Sequence, residues 1–141
     1  MSQQEFERYY LFRWKMLRQP WQQPFGSEKD GLEQHSVHRM IVNNEHQVIA
    51  VGRLHKVGER EAQIRYMAVD EHYQGQGLGT KILQALETQA SRQGVTNITL
   101  NARESAVNFY TNNGYRVQGF SHLLYNELRH ITMTKVLAVL K

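Results

Sequence analysis

Between Glu5 and Arg18 the apolar positions Phe6, Tyr9, Tyr10, Trp14 and Leu17 recur at steps of three and four, with Arg13 inside the same stripe. That spacing is the period of one helical face and predicts an N-terminal helix. Pro20 ends it, because the residue before a proline avoids helical dihedrals. Residues 19–31 are polar, carry both prolines of the chain and two glycines, and read as a long loop, a kind of segment that tends to be functional in compact domains. From Val37 to Val69 the period shortens. Met40–Val42, the turn residues Asn43–His46, the run Gln47–Leu54, the turn at Gly58–Glu59 and the run Ala62–Val69 predict three antiparallel strands.

The second half alternates between the two periods. From Gly77 to Arg92, Leu78, Ile82, Leu83, Leu86 and Ala90 fall on one face, with Lys81, Gln84, Glu87, Ser91 and Arg92 opposite. Gly94 stands where a C-capping glycine belongs. Val95–Leu100 predicts a strand, Ser105–Asn113 a second helix stopped by Gly114, Tyr115–Val117 another strand, and Ile131–Leu140 a last β-like segment. A meander followed by strand, helix, strand, helix and strand implies an α/β (α+β) fold, a mixed sheet covered by helices. With no repeat and no linker, residues 1–141 are expected to form one domain.

Composition narrows the function without naming it. The 141 residues are 40% hydrophobic and 21% charged, which is globular rather than disordered. Cysteine is absent, so disulfides, cysteine-based zinc sites and thiol nucleophiles are excluded together. A net charge of +4 without a run of like charges gives little support to a nucleic-acid partner, though it suits anionic ligands. The opening residues lack the layout of a signal peptide, and the longest apolar run, Val136–Leu140, is far too short to span a membrane. The expected setting is therefore soluble and cytoplasmic, with no membrane partner. His35 and His38 lie beside Glu33, but no third or fourth ligand accompanies them, and no metal site is expected.

The chemistry concentrates in Met67-Ala68-Val69-Asp70-Glu71-His72-Tyr73-Gln74-Gly75-Gln76-Gly77-Leu78-Gly79-Thr80. A strand runs into three glycines spaced two apart, and a helix begins there. Side-chain-free backbone lets a ligand approach closely, and the free N–H groups of the first helical turn face it with the positive end of the dipole. This is a phosphate cradle. A Walker loop would need Gly-Lys-Ser/Thr after four residues, and a dinucleotide fingerprint would need glycine at position 80, where threonine stands.

Gln74-x-x-Gly77-x-Gly79 resembles the Gln/Arg-x-x-Gly-x-Gly/Ala loop of the GCN5-related N-acetyltransferases. The likeness continues through Ile98–Leu100, Asn108-Phe109-Tyr110 and Asn113-Gly114-Tyr115, which are similar to that family's aromatic segment. Asp30, Glu33 and His38 look like the acidic N-terminal loop of a bacterial subgroup, and Glu127, His130 and Met133 like its E-x-x-H-x-x-M closing strand. The resemblance implies a mostly antiparallel sheet with a central splay. It also implies acetyl transfer from acetyl-CoA to the primary amine of a small molecule or peptide. The amides of Gly75, Gln76, Gly77, Leu78, Gly79 and Thr80 would bind the pyrophosphate, with Gln74 beside them. Met67, Ala68 and Val69 would pair with the pantetheine arm, one of their N–H groups polarising the acetyl carbonyl. Asn101 and Asn108 would bond the CoA amides. Tyr110 would be the general acid that protonates the departing thiolate, a plausible transfer between groups of ordinary pKa about 10 and about 8.5.

The general base is where the chain departs from the pattern. Many family members carry glutamate on the strand feeding the loop; here that position is Arg65, and no carboxylate occurs between Ala62 and Ala68. Glu104, Glu127, His130 and Glu33 are the candidates, beside a water chain or an acceptor that arrives neutral. An arginine at position 65 would suit an acidic acceptor. Trp14, Trp21 and Phe25 bracket the proline-containing loop, and that loop, with the segment from Phe120 to Arg129, is expected to shape the acceptor pocket. Without cysteine, an acyl-enzyme on sulfur is disfavoured, and direct transfer is expected. A CoA-binding sensor without turnover and a nucleotide-binding module are the alternatives. A homodimer is compatible with the sequence.

Overall fold

The computed structural model describes residues 1–124 and 128–137, with side chains described for 1–119 and 129–137. Its elements are α1 (Gln3–Leu17), β1 (Ser36–Val42), β2 (Val48–Lys56), β3 (Glu61–Val69), α2 (Leu78–Arg92), β4 (Asn97–Arg103), α3 (Val107–Asn112), β5 (Arg116–Leu124) and β6 (Leu128–Val136), with single 3-10 turns between some of them. The strands follow the order β1-β2-β3-β4-β6-β5 in a six-stranded, mostly antiparallel sheet. The expected fold class is met. Several boundaries moved. β4 extends to Arg103, past the last large apolar residue of its run, because Ile98, Leu100 and Ala102 bury one face while Asn101 is exposed on the other. Of the expected strand Tyr115–Val117, Arg116 and Val117 open β5 while Tyr115 precedes it, and β6 begins at Leu128; residues 138–140 of the expected last segment lie outside the described residues.

The chain divides into two units, Met1–Arg53 with Tyr66–Leu86 and Leu54–Arg65 with Glu87–Lys141. In the first, Ser2 caps α1: its hydroxyl accepts from the Glu5 amide at 3.1 Å, and the Glu5 carboxylate accepts from the Ser2 amide at 2.8 Å. This reciprocal box satisfies two donors that a helix start leaves open. The buried face of α1 presents Tyr9 and Phe12 to Val51 of β2, with Phe6, Tyr10, Met40, Val48 and Ala68 packed around them. Gly52 of β2 lies directly under Ile82 and Leu86 of α2. A β-carbon there would meet Ile82 Cγ2 and Met67 Sδ at 2.6 Å and Leu86 Cδ1 at 3.1 Å. The glycine is needed for helix-on-strand contact rather than for its dihedrals. Gly52→Ala is therefore expected to destabilise the fold by about 1–3 kcal/mol through overpacking, read as a lowered midpoint in urea unfolding.

In the second unit, β3 pairs in parallel with β4 from Glu61↔Asn97 to Ile64↔Leu100, β4 pairs antiparallel with β6, and β5 closes on β6. Ala62, Ile64, Ile98, Leu100 and Met133 form the buried side. Glu87, on the expected polar face of α2, is instead drawn inward. Its two carboxylate oxygens accept from Lys135 Nζ at 2.8 Å and from the Tyr115 hydroxyl at 3.0 Å, and Lys135 also donates to the Asn113 carbonyl at 2.9 Å. Burial, followed by the Glu87 carboxylate, pushes the Tyr115 phenol well above its usual range. This network ties the end of α2 and the turn after α3 to β6.

Candidate active site

The β3–β4 pairing stops at Ile64↔Leu100, and two residues later Tyr66 sits at φ +58°, left-handed backbone within a strand. A side chain there costs roughly 1–2 kcal/mol, so the surroundings must hold it. They do so from one side of the chemistry. The Arg13 guanidinium lies 4.1 Å over the Tyr66 ring, Arg53 4.8 Å and Arg18 5.5 Å, and the Tyr66 hydroxyl donates to Asp30 Oδ2 at 3.4 Å. After Tyr66 come Met67, Ala68 and Val69. Val69 gives its carbonyl to the Gln74 side-chain amide at 3.2 Å, and Asp70 fixes the strand end by donating its N–H to the Ile49 carbonyl at 2.8 Å.

The glycine loop follows. Asp70 caps a single 3-10 turn by accepting from the His72 amide at 2.8 Å. Gly75 and Gly77 both take φ +80°, where a β-carbon would be strained, and among the described residues a β-carbon on either would meet nothing within 4 Å beyond its chain neighbours. Backbone conformation and open space thus coincide. The first bond of α2 runs from the Lys81 amide to the Gly77 carbonyl at 3.1 Å, which leaves the amides of Leu78, Gly79 and Thr80 outside the helical ladder. Gln74, Gly75, Gln76 and Gly77 are exposed, and Leu78 and Thr80 half-buried. Free amides, two left-handed glycines and a helix dipole make a cradle that fits a diphosphate.

The acidic loop before β1 folds around a buried charge cluster that the chain's pattern did not disclose. Arg13 and Arg53 are fully buried. Arg13 donates to Glu33 Oε1 and to the Glu28 carbonyl, each at 3.0 Å, and to the Tyr9 hydroxyl at 2.8 Å. Arg53 donates to Asp30 Oδ1 at 2.7 Å, Asp30 Oδ2 at 3.0 Å and Glu33 Oε2 at 2.8 Å. Both oxygens of Glu33, a candidate base, are therefore already engaged. The one available signal was Arg13 itself, a charge inside the apolar stripe of α1, which calls for a buried partner.

His38 donates from Nε2 to the Glu33 carbonyl at 2.7 Å, so in its neutral form Nδ1 accepts from the Tyr9 hydroxyl at 2.9 Å. Burial lowers its pKa and pushes the Tyr9 phenol up to about 12. Burial alone would raise Asp30, but its bonds from Arg53 and from the Leu32 amide hold it well below the carboxylate range. Both shifts make acid destabilising, in separate windows. Below about pH 6.5 the unfolded histidine takes up a proton that the folded one resists, and below about pH 4 the unfolded aspartate does the same. The melting temperature is thus expected to fall in two limbs on acidification. His38→Asn should flatten the limb between pH 7 and 5, and Asp30→Asn the one below pH 4, in melts followed by circular dichroism.

In the second unit, Tyr110 lies on α3 with its ring buried against Phe109 (4.9 Å) and Tyr115 (5.8 Å). Among the described residues its hydroxyl has no hydrogen-bond partner. Burial raises its pKa, and the Arg103 guanidinium draws it part of the way back. Asn108 is exposed on α3, and Asn101 Oδ1 accepts from the Thr132 hydroxyl at 2.9 Å. Glu104 is exposed, 3.8 Å from Arg129, and His130 is buried on β6 opposite Arg103. Arg65 is exposed on β3. Glu127 lies outside the described residues. Among the described residues no three His, Cys, Asp or Glu side chains are grouped to hold a metal ion, and no helix is long and apolar enough to cross a membrane.

The model of the acetyltransferase (GNAT) family matches residues 4–120. The chain is 30% identical over 112 residues to an uncharacterized N-acetyltransferase, YjcF, of Bacillus subtilis, covering 79% of each. Its fold is similar to that of an acyl-CoA N-acyltransferase from Pseudomonas aeruginosa (TM-score 0.81, 22% identity, 96% of this chain and 93% of that one). It is also similar to an aminoglycoside 6'-N-acetyltransferase solved with coenzyme A (TM-score 0.73, 15% identity, 86% and 87%).

Proposed function

Because the chain belongs to the acetyltransferase (GNAT) family, we propose that it moves an acetyl group from acetyl-CoA directly to a primary amine. The observation that carries this reading is the loop at Gly75 and Gly77, where left-handed backbone and open space meet the free amides of α2. The amides from Gly75 to Thr80 bind the diphosphate, beside Gln74. Met67, Ala68 and Val69, which follow left-handed Tyr66 and lie past the last β3–β4 register pair, offer main-chain groups to the pantetheine arm. One of their amides faces the acetyl oxygen as charge develops there, an effect worth about 2.7–4 kcal/mol in other oxyanion sites.

Tyr110 supplies the proton that the departing sulfur needs. Its burial keeps the phenol protonated across the physiological range, and Arg103 stabilises the phenolate left behind. Asn101 and Asn108 are the candidate partners of the CoA amides. With Arg65 in place of a strand carboxylate and Glu33 engaged by two arginines, the acceptor's proton leaves through water or through Glu104, Glu127 or His130. Trp14, Trp21 and Phe25 wall the acceptor side, and the cytoplasm is the compartment that goes with this donor.

The test is thiol release from acetyl-CoA with a panel of small amines, amino sugars, peptides and lysine derivatives, with the acetylated product identified by mass. Acetyl-CoA that binds without any amine being acetylated would support the sensor reading, which the missing strand glutamate favours. ATP or NAD binding as tightly as CoA would point to a nucleotide module.

A further inference from the structure

Three guanidinium groups share the Tyr66 ring, and two carboxylates answer them. Glu33 is paired with both Arg13 and Arg53, and Asp30 with Arg53. Arg18 receives neither. Its Nε donates to the Ser27 carbonyl and its Nη1 to the Leu17 carbonyl, each at 3.2 Å, and among the described residues it has no carboxylate partner. A guanidinium carries five N–H groups. Among the described residues two are taken, both by uncharged oxygens, which leaves three there, including both on Nη2.

Those remaining donors are held in place. The bonds to Leu17 and Ser27 and the stack on Tyr66 fix a half-buried side chain that would otherwise sample many rotamers. The outer edge of the guanidinium, formed by Nη1 and Nη2, is the one that matches a carboxylate with two parallel bonds. Its location is informative too. Tyr66 immediately precedes Met67, the first of the residues proposed to serve the acetyl donor. The loop that supplies the Ser27 carbonyl also holds Phe25, 65% exposed and edge-on to Trp14 at 5.5 Å, so an apolar wall borders the same place.

We infer that Arg18 is a specificity-determining residue that binds the carboxylate of the acceptor, so that the substrate class is a small amine that also carries a carboxylate, as amino acids do. This rests on the acetyl-transfer reading and moves the anion-binding role from Arg65, which has contacts of its own, to a residue beside the acidic loop. The ion pair forms between the acceptor carboxylate and the Nη1–Nη2 edge, while the acceptor's amine remains free to attack.

The experiment compares matched amines that differ only in that group, such as 4-aminobutyrate and 4-aminobutyramide together with α-amino acids and their carboxamides, in wild type, Arg18→Met and Arg18→Lys. Wild type should favour the carboxylates by at least about tenfold in kcat/KM. Arg18→Met should lose that preference through a KM raised roughly 10–100-fold, with kcat and the carboxamides changed far less, and Arg18→Lys should recover part of it. Carboxamides accepted as well as carboxylates, or an equal loss for both in Arg18→Met, would overturn the inference. Calorimetry of the same amines on the CoA-loaded protein needs no turnover: if no carboxylate-bearing amine binds better than its carboxamide, the inference is wrong. Failure of acetyl-CoA itself to bind would instead bring down the acetyl-transfer reading.

Discussion

Gly77→Val is expected to weaken acetyl-CoA binding by at least about 100-fold while leaving the protein folded. The glycine stands at φ +80°, and among the described residues nothing beyond its chain neighbours lies within 4 Å of where a β-carbon would be. A β-branched residue there has two ways to respond, and both harm the cradle. If the backbone keeps its dihedrals, the new methyl groups occupy the space a diphosphate would fill. If it relaxes toward negative φ, escaping a strain of roughly 1–2 kcal/mol, the amides of Leu78 and Gly79 turn away from the ligand. Losing two charge-assisted hydrogen bonds at about 1.5–3 kcal/mol each corresponds to a factor of 10² or more. Titration calorimetry with acetyl-CoA and with CoA checks it, with a thermal melt to show that the fold survives. Gly77→Ala should fall between the two. An unchanged dissociation constant in Gly77→Val would mean that the loop is only a turn.

Tyr110→Phe is the second large effect: kcat is expected to drop by roughly 10²–10³ with the KM for acetyl-CoA within about threefold of wild type. The phenylalanine keeps the ring against Phe109 and Tyr115, and the hydroxyl it removes bonds to no described residue. A purely packing role would therefore leave both stability and turnover nearly unchanged, and the variant separates the two readings. The sign of the pH dependence is an independent check. Because burial raises the phenol above its ordinary pKa of about 10, wild-type kcat should show no alkaline decline from this group below about pH 10. A wild-type rate already falling near pH 8 would assign that titration to another residue. Tyr110→Phe with wild-type kcat would remove Tyr110 from the chemistry.

The two variants probe residues of different legibility. Gly77 announced itself, since three glycines two apart between a strand and a helix have few structural uses other than close approach of a ligand. Tyr110 did not, because an aromatic residue on a short helix packs far more often than it reacts, and only the family resemblance singled it out. The cluster around Tyr66 was less visible still. Asp30, Glu33 and His38 stand out as an acidic loop, but the arginines that pair with Asp30 and Glu33, Arg13 and Arg53, come from a helix and a strand far away in the chain. Glu87 is a similar case: its place on the polar side of α2 is correct by helical period, and Lys81, Gln84 and Arg92 there are exposed, yet Lys135 and the Tyr115 hydroxyl draw the Glu87 carboxylate in.

What the chain determined by itself was everything carried by short-range periodicity: the helices, the opening strands, the glycine loop and the order in which they follow. These depend on side chains three, four or two positions apart, which a linear pattern records directly. Tertiary structure alone decided that β3 joins β4 in parallel for four register pairs, that Tyr66 takes a left-handed conformation beneath three arginines, and which of those arginines lacks a carboxylate partner among the described residues. Such facts arise from contacts between residues tens of positions apart, and the cost of burying a charge is settled only once its partners have been brought alongside.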